Sequence, residues 1–199
     1  MKILKQNEYK IGAEILKKGG IIAFPTETVF GVGVIWNNPN SYKRLIDVKR
    51  RPPEKPFTLM CGKVSDIDKY AIVNDTARKL INKFMPGQFT IILPAKEGIG
   101  NNAVANGVIG IRVSSDKLVA DLINEVGEPL FVPSANKAGE KPATKTEEVI
   151  DAFHEELDAI IEGESTSNVP STIVIVDKDV KIVRLGLVTE EEIASAIKE

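Results

Sequence analysis

The chain of 199 residues has one cysteine, one histidine and one tryptophan, and its net charge is −2. A single thiol, Cys61, excludes an internal disulfide, and without a Cys/His cluster there is no structural zinc site to read. His154 sits among carboxylates at the flank of the apolar stripe Ile150, Phe153 and Leu157. That position reads as a surface or boundary histidine and argues against a Ser–His–Asp hydrolase. Ser134 also lacks the G-x-S-x-G elbow. There is no G-x-x-x-x-G-K-[ST] run, and Gly31-Val32-Gly33 lacks the third dinucleotide-binding glycine. The N-terminus lacks the apolar core of a signal peptide and no run reaches membrane-spanning length, so a reducing, cytoplasmic location with no membrane partner is expected. The slight acidity gives no global basic field pointing to nucleic acid.

What is present fits a soluble globular chain: 43% hydrophobic and 27% charged residues. The length suits one sizeable core, and no linker or repeat divides it, so residues 1–199 are read as a single domain. Ile21-Ile22-Ala23-Phe24 is a continuous apolar run, the mark of a strand buried on both faces. Pro25 ends it, Thr26-Glu27-Thr28 follow, and Gly31 and Gly33 allow a bend or a close approach to a ligand. This is either a presented site or a strand, a polar turn and a second strand.

Further strands are predicted over 57–61, 89–93, 108–113, 129–132 and 159–161, with a hairpin over 171–176 and 180–183. Helices are predicted to start at Asn7, at Asn40 or Ser41, at Ser65, at Thr76, at Ser115 and at Thr146, the last running through Leu157. Thr189-x-x-Glu192 fits a capping box for a final helix. Hairpins and helical crossovers together imply an α/β fold with a mixed sheet.

Several loops carry candidate chemistry. Residues 43–55 hold Lys43, Arg44, Lys49, Arg50, Arg51 and Lys55 against Asp47 and Glu54, a local excess of +4. Lys49 and Arg51 lie at a helix end beside prolines, which suits phosphate binding or a solvated basic turn balancing the helix dipole. Ser134 and Asn136 follow a strand between Pro133 and Gly139, a nucleotide grip or an ordinary turn. Arg112, inside a strand, needs either a ligand carboxylate or an internal acid.

Taken together, Pro25-Thr26-Glu27-Thr28-Val29-Phe30-Gly31, Lys49-x-Arg51-Pro52, Pro56-Phe57, Pro86-Gly87-x-x-Thr90, Arg112, Pro133-Ser134-Ala135-Asn136, Pro170-Ser171-Thr172 and Arg184-x-Gly186 resemble the YrdC-like family in order and spacing, over about residues 8–197. The resemblance implies a twisted, mixed open sheet with flanking helices around a concave positive cleft. It implies threonylcarbamoyl-AMP synthesis from L-threonine, bicarbonate and ATP, with release of pyrophosphate. A downstream tRNA threonylcarbamoyl transferase complex then modifies adenosine 37 of tRNA, and Mg²⁺ is expected to arrive with ATP.

By the same resemblance, ATP falls to Lys49, Arg51, Lys55, Ser134, Asn136 and Arg184, and threonine to Thr28, Arg112 and Ser171. No side chain is expected to act as a nucleophile; Lys49 and Arg51 supply positioning and charge, and Glu27 is a water-mediated metal candidate. Met60 stands where many relatives have histidine, and Val132 where they have a small or hydroxylated residue; Phe30, Gln88 and Leu185 replace the usual Tyr, Pro and Pro. Two alternatives remain: a carbamoyl-transfer module using carbamoyl phosphate, as in hydrogenase maturation, and a non-catalytic RNA- or tRNA-binding protein using the basic stretch.

Overall fold

The computed structural model describes residues 1–52, 56–100 and 102–198. The elements are β1 (Lys2–Leu4), α1 (Tyr9–Lys17), β2 (Ile22–Phe24), β3 (Gly31–Ile35), α2 (Pro39–Lys49), β4 (Leu59–Cys61), α3 (Ile67–Tyr70), α4 (Asp75–Phe84) and β5 (Phe89–Pro94). They continue as β6 (Val104–Ala105), β7 (Val108–Val113), α5 (Lys117–Val126), β8 (Leu130–Phe131), α6 (Thr146–Phe153), β9 (Ala159–Ile161), β10 (Thr172–Val176), β11 (Val180–Arg184) and α7 (Glu190–Lys198). The strands form one mixed sheet in the order β1-β9-β2-β3-β8-β4-β7-β5-β10-β11, with β6 beside β7. β2 runs parallel to β9, β4 to β7 and β5 to β10, while β2–β3, β5–β7 and β10–β11 are antiparallel. The twisted α/β sheet with flanking helices expected from the sequence is therefore the observed fold.

Side-chain alternation divides the core into two layers. Ile21 and Ala23 join a cluster with Leu45 and Val48 of α2, Leu80 and Ile81 of α4, Val149 and Phe153 of α6 and Ile193 of α7. Ile22 and Phe24 point the other way, against Ala13 and Leu16 of α1 and Leu122 and Ile123 of α5. Burial on both faces is why this strand reads as an unbroken apolar run.

The same alternation creates the site. On β7, Ile109, Ile111 and Val113 join the first layer, and on β5 so do Phe89, Ile91 and Leu93. Their alternates Arg112 and Thr90 line a cavity instead of meeting a helix. Register sets Leu130, Met60, Arg112, Thr90 and Ile173 side by side across five neighbouring strands.

Several boundaries differ from the sequence reading. α2 starts at Pro39, because the Asn38 side chain accepts from Asn40 N at 3.0 Å and Ser41 N at 3.2 Å and proline suits the first helical turn. Asp116, not Ser115, caps α5, accepting from Leu118 N at 2.9 Å. α6 stops at Phe153, with His154 at φ 46°, although Leu157 is buried. The apolar period there outlasts the helix. β1 and β6 are too short to carry a two-residue period of their own. The capping box of α7 is as expected: Thr189 N donates to Glu192 Oε2 at 2.7 Å and Glu192 N to Thr189 Oγ1 at 3.2 Å. Gly31 and Gly33 serve packing in β3. A Cβ on Gly33 would lie 2.7 Å from Phe24 Cε1, and one on Gly31 would lie 2.4 Å from Val132 Cγ1.

Candidate functional site

A cavity of about 190 Å³ opens over the bare part of the sheet. Thr28, Arg51, Arg112, Ser134, Ser171 and Arg184 line it. Six of the nine residues singled out from the sequence therefore meet, although they come from loops and strands scattered along the chain.

Arg112 is held from three sides. Its Nε donates to Gly87 O at 3.2 Å and its Nη1 to Thr28 Oγ1 at 3.0 Å. Its Nη2 lies 2.9 Å from Glu27 Oε1, and both side chains are about nine-tenths buried. The internal acid that a buried arginine calls for is thus Glu27. Yet the N–H bonds of Nη2 are not aimed at that oxygen: the atom is buried and makes no hydrogen bond. The pair is held by charge at close range, and Nη2 still lacks an acceptor, a costly state for a buried donor.

Glu27 is fully engaged, since Oε1 also accepts from Ser115 N at 3.0 Å and Oε2 accepts from Ser114 Oγ. It does not line the cavity. Among the described residues no group of three or more His, Cys, Asp or Glu could hold a metal ion. The carboxylate considered from the sequence as a water-mediated metal contact is spent on positioning Arg112.

The hydroxyl protons can be followed in turn. Thr26 Oγ1 donates to Val29 O at 2.8 Å, so Thr28 Oγ1, 2.9 Å away, must donate to Thr26. Thr28 then meets Arg112 as an acceptor. Thr90 Oγ1 and Ser171 Oγ share one proton at 2.8 Å. Arg184 grips the Ser171 carbonyl through Nε at 3.1 Å and Nη2 at 2.8 Å. Burial makes charging Arg184 less favourable, and the nearby Arg112 adds to this. Burial also lowers Arg51, whose Nη2 donates to Pro56 O at 3.1 Å and whose guanidinium sits 4.9 Å from the Phe57 ring centroid. Three guanidiniums thus converge on a concavity that no carboxylate of the described residues lines, which favours an anion there.

Lys49 and Asn136 are close by but turned inward. Lys49 is 3% exposed, and its ammonium donates to Ser134 O, Asn136 O and, at 3.2 Å, Asn136 Oδ1. Burial and the Arg51 charge lower its pKa to about 7, with Glu140 opposing. The three oxygens facing it favour the charged form. Asn136 Oδ1 also accepts from Ser134 Oγ at 2.6 Å, and its Nδ2 donates to Lys137 O and Glu140 O, both at 2.9 Å. Lys55 lies outside the described residues.

The basic stretch does not form one patch. Lys43, Arg44 and Arg50 are exposed, Lys49 is buried and Arg51 faces the cavity. Arg44 is tied to Asp158 at 2.9 Å. Cys61 is buried, which pushes its thiol up to about 12 and makes it a poor nucleophile.

Thr58, Met60, Val132 and Ile173 also line the cavity. Thr58 and Ile173 were not singled out from the sequence. The signal available was alternation: Thr58 and Met60 share a parity, while Phe57, Leu59 and Cys61 face the core.

Fold and cavity together define an α/β domain with an arginine-lined cavity on the uncovered part of a twisted sheet. The sequence profile of the Sua5/YciO/YrdC family, described as "Telomere recombination", matches residues 14–186, and the chain belongs to this family. It is 34% identical over 197 residues to the putative threonylcarbamoyl-AMP synthase of Methanocaldococcus jannaschii, covering 96% of this chain and 93% of that one. It is 32% identical to the threonylcarbamoyl-AMP synthase of Bacillus subtilis, covering 93% of this chain but 55% of that one. The crystal structure of Pyrococcus abyssi Sua5 complexed with L-threonine superposes with a TM-score of 0.93 at 26% identity, over 99% of this chain and 61% of that one. No helix among the described residues is long and apolar enough to cross a membrane.

Proposed function

We propose that the protein is a nucleotidyltransferase that makes L-threonylcarbamoyladenylate from L-threonine, bicarbonate and ATP, releasing pyrophosphate, for the modification of adenosine 37 of tRNA. The observation that carries this reading is the convergence of Arg51, Arg112 and Arg184 on one cavity. The relatives named as threonylcarbamoyl-AMP synthases and the threonine complex of Pyrococcus abyssi Sua5 support it.

On this reading the amino acid's carboxylate meets the cavity face of the Arg112 guanidinium, within reach of Thr28 and Ser171. At about 190 Å³ the cavity is smaller than the ~300–1,000 Å³ typical of ligand clefts, so it suits an amino acid and its carbamate. The nucleotide then lies over the rim, toward Ser134. The amine of threonine attacks the carbon of CO₂ supplied by bicarbonate, loses its proton to solvent and becomes a carbamate. A carbamate oxygen attacks the α-phosphorus, and the bond to the pyrophosphate oxygen breaks. Negative charge grows on the phosphoryl and leaving oxygens, where Arg51 and Arg184 provide fixed positive charge. Lys49 holds the Ser134–Asn136 turn in place from behind.

Among the described residues no carboxylate lines the cavity, so these side chains do not themselves make a Mg²⁺ site. Mg²⁺ enters as the ATP complex, bound by phosphate oxygens, and neutralises charge there. Release of pyrophosphate from ATP by the purified protein, dependent on both threonine and bicarbonate, tests the proposal. Release without threonine, or carbamoyl phosphate replacing threonine and bicarbonate, overturns it.

A further inference from the structure

We propose that the hydroxyl of Thr58 recognises the side-chain hydroxyl of the amino-acid substrate, with Met60 and Val132 seating the methyl group beside it. The inference rests on the amino-acid site argued above and names what selects the side chain there.

The argument starts from proton accounting around the cavity. Thr28 has given its proton to Thr26, and its oxygen already accepts from Arg112. Thr90 and Ser171 share a proton, and the guanidinium of Arg184 faces the same pair, with Nη2 3.4 Å from Ser171 Oγ. Those three hydroxyls are committed to the end of the cavity that receives anions. Thr58 lines the cavity, yet its Oγ1 makes no hydrogen bond to any described residue. Its hydroxyl therefore has both a proton to give and lone pairs to receive.

Placement supports the same role. Leu59 pairs with Ile111 and Met60 with Arg112 in parallel register, which sets Thr58 beside Gly110. Glycine there leaves room: a Cβ added to it would stand 3.7 Å from Thr58 Oγ1. Two residues of strand separate Thr58 from the Arg112 row, roughly 7 Å along the sheet. An α-amino acid spans that distance with one hydrogen bond at each end, its carboxylate on Arg112 and its β-hydroxyl on Thr58. Met60, 2% exposed and level with Arg112, and Val132, 8% exposed, whose N donates to Thr58 O at 3.3 Å, line the same cavity. An apolar floor next to a lone hydroxyl matches a side chain that carries one methyl and one hydroxyl.

Valine has the shape of threonine with a methyl in place of the hydroxyl, so the pair isolates this contact. The experiment measures KM for threonine and for valine in ATP-dependent pyrophosphate release, with wild type, Thr58→Val and Thr58→Ser. Wild type should favour threonine by about tenfold or more, because losing one hydroxyl partner leaves the other unpaired. Thr58→Val should bring the ratio close to one with the KM for ATP unchanged, and Thr58→Ser should keep the wild-type preference. A Thr58→Val protein that retains the wild-type ratio overturns the inference. Calorimetric binding of threonine and valine to the wild-type protein with ATP provides the same comparison without a variant, and equal affinities there also overturn it. If wild type binds threonine selectively but releases no pyrophosphate, the proposed reaction fails while the Thr58 contact stands.

Discussion

Replacing Glu27 by Gln would test the centre of the site most directly. The carboxylate faces Arg112 Nη2 at 2.9 Å and accepts from Ser115 N at 3.0 Å and from Ser114 Oγ, with its side chain 10% exposed. The amide keeps the shape and one acceptor oxygen but removes the charge. Arg112 is then left with a carbonyl and a hydroxyl as partners and no buried counter-charge. Breaking a buried ion pair from one side costs about 3–5 kcal/mol. The retained oxygen places this substitution at the lower end, about 3 kcal/mol. In a domain of this size each kcal/mol lowers Tm by about 2–4 °C, so a fall of about 6–12 °C is expected. Thermal melts monitored by circular dichroism measure it. The double variant Glu27→Gln, Arg112→Gln should recover part of the loss, because the uncompensated charge is gone. Saturating threonine should raise the Tm of Glu27→Gln more than that of wild type, since its carboxylate supplies the missing anion. A Glu27→Gln protein melting within 1 °C or so of wild type would refute the view that this pair organises the cavity.

Three further outcomes follow from the geometry. Arg51→Ala should cut turnover by roughly 10²-fold, as expected for one fixed charge at a phosphoryl transition state, whereas Arg50→Ala, exposed at the end of α2, should stay near wild type in the same pyrophosphate assay. The pKa of Lys49, lowered to about 7 from 10.5, makes the unfolded chain bind more protons between those values, so stability should rise with pH across that window and fall toward pH 7. Melts of wild type and Lys49→Met across pH 7–10 should show that slope only in wild type. Gly186→Ala should lower both stability and turnover, because its Cβ would come within 2.3 Å of Pro170 O and displace the turn that holds Ser171, whereas Gly100→Ala, with nothing within 4 Å, should change neither.

The parts of this molecule legible in the sequence were those whose signals are local. The double-sided burial of residues 21–24, the hairpin after Ser171 and the Thr189–Glu192 capping box each follow from neighbours a few residues apart. Arg112 could be recognised as needing a partner, but the choice of Glu27 depends on β7 crossing under the turn after β2, which no local pattern encodes. Lys49 read as a phosphate ligand because a cation at a helix end has that appearance; only the return of residues 134–138 over α2 shows its ammonium held by three oxygens. The run of cations from Lys43 to Arg51 looked continuous in one dimension. Helix geometry sends them to solvent, to Asp158, into the interior and into the cavity. Thr58 went unnoticed because an isolated threonine in a strand is ordinary, and its distinction lies in a hydroxyl that lines the cavity with no hydrogen bond to any described residue.

The alternation along β7 has a consequence for how the chain finds its fold. Ile111 and Arg112 are neighbours facing opposite sides of one strand, between β4 and β5. A slip of one residue during pairing would exchange them, driving a guanidinium into the apolar layer under α4 and presenting isoleucine to the ligand. A misregistered sheet would therefore carry an unpaired charge in its interior, a penalty far above that for misplacing one apolar residue with another. The arginine that lines the cavity in the finished protein thus also acts as a proofreading mark during assembly, making the wrong pairing too unfavourable to persist.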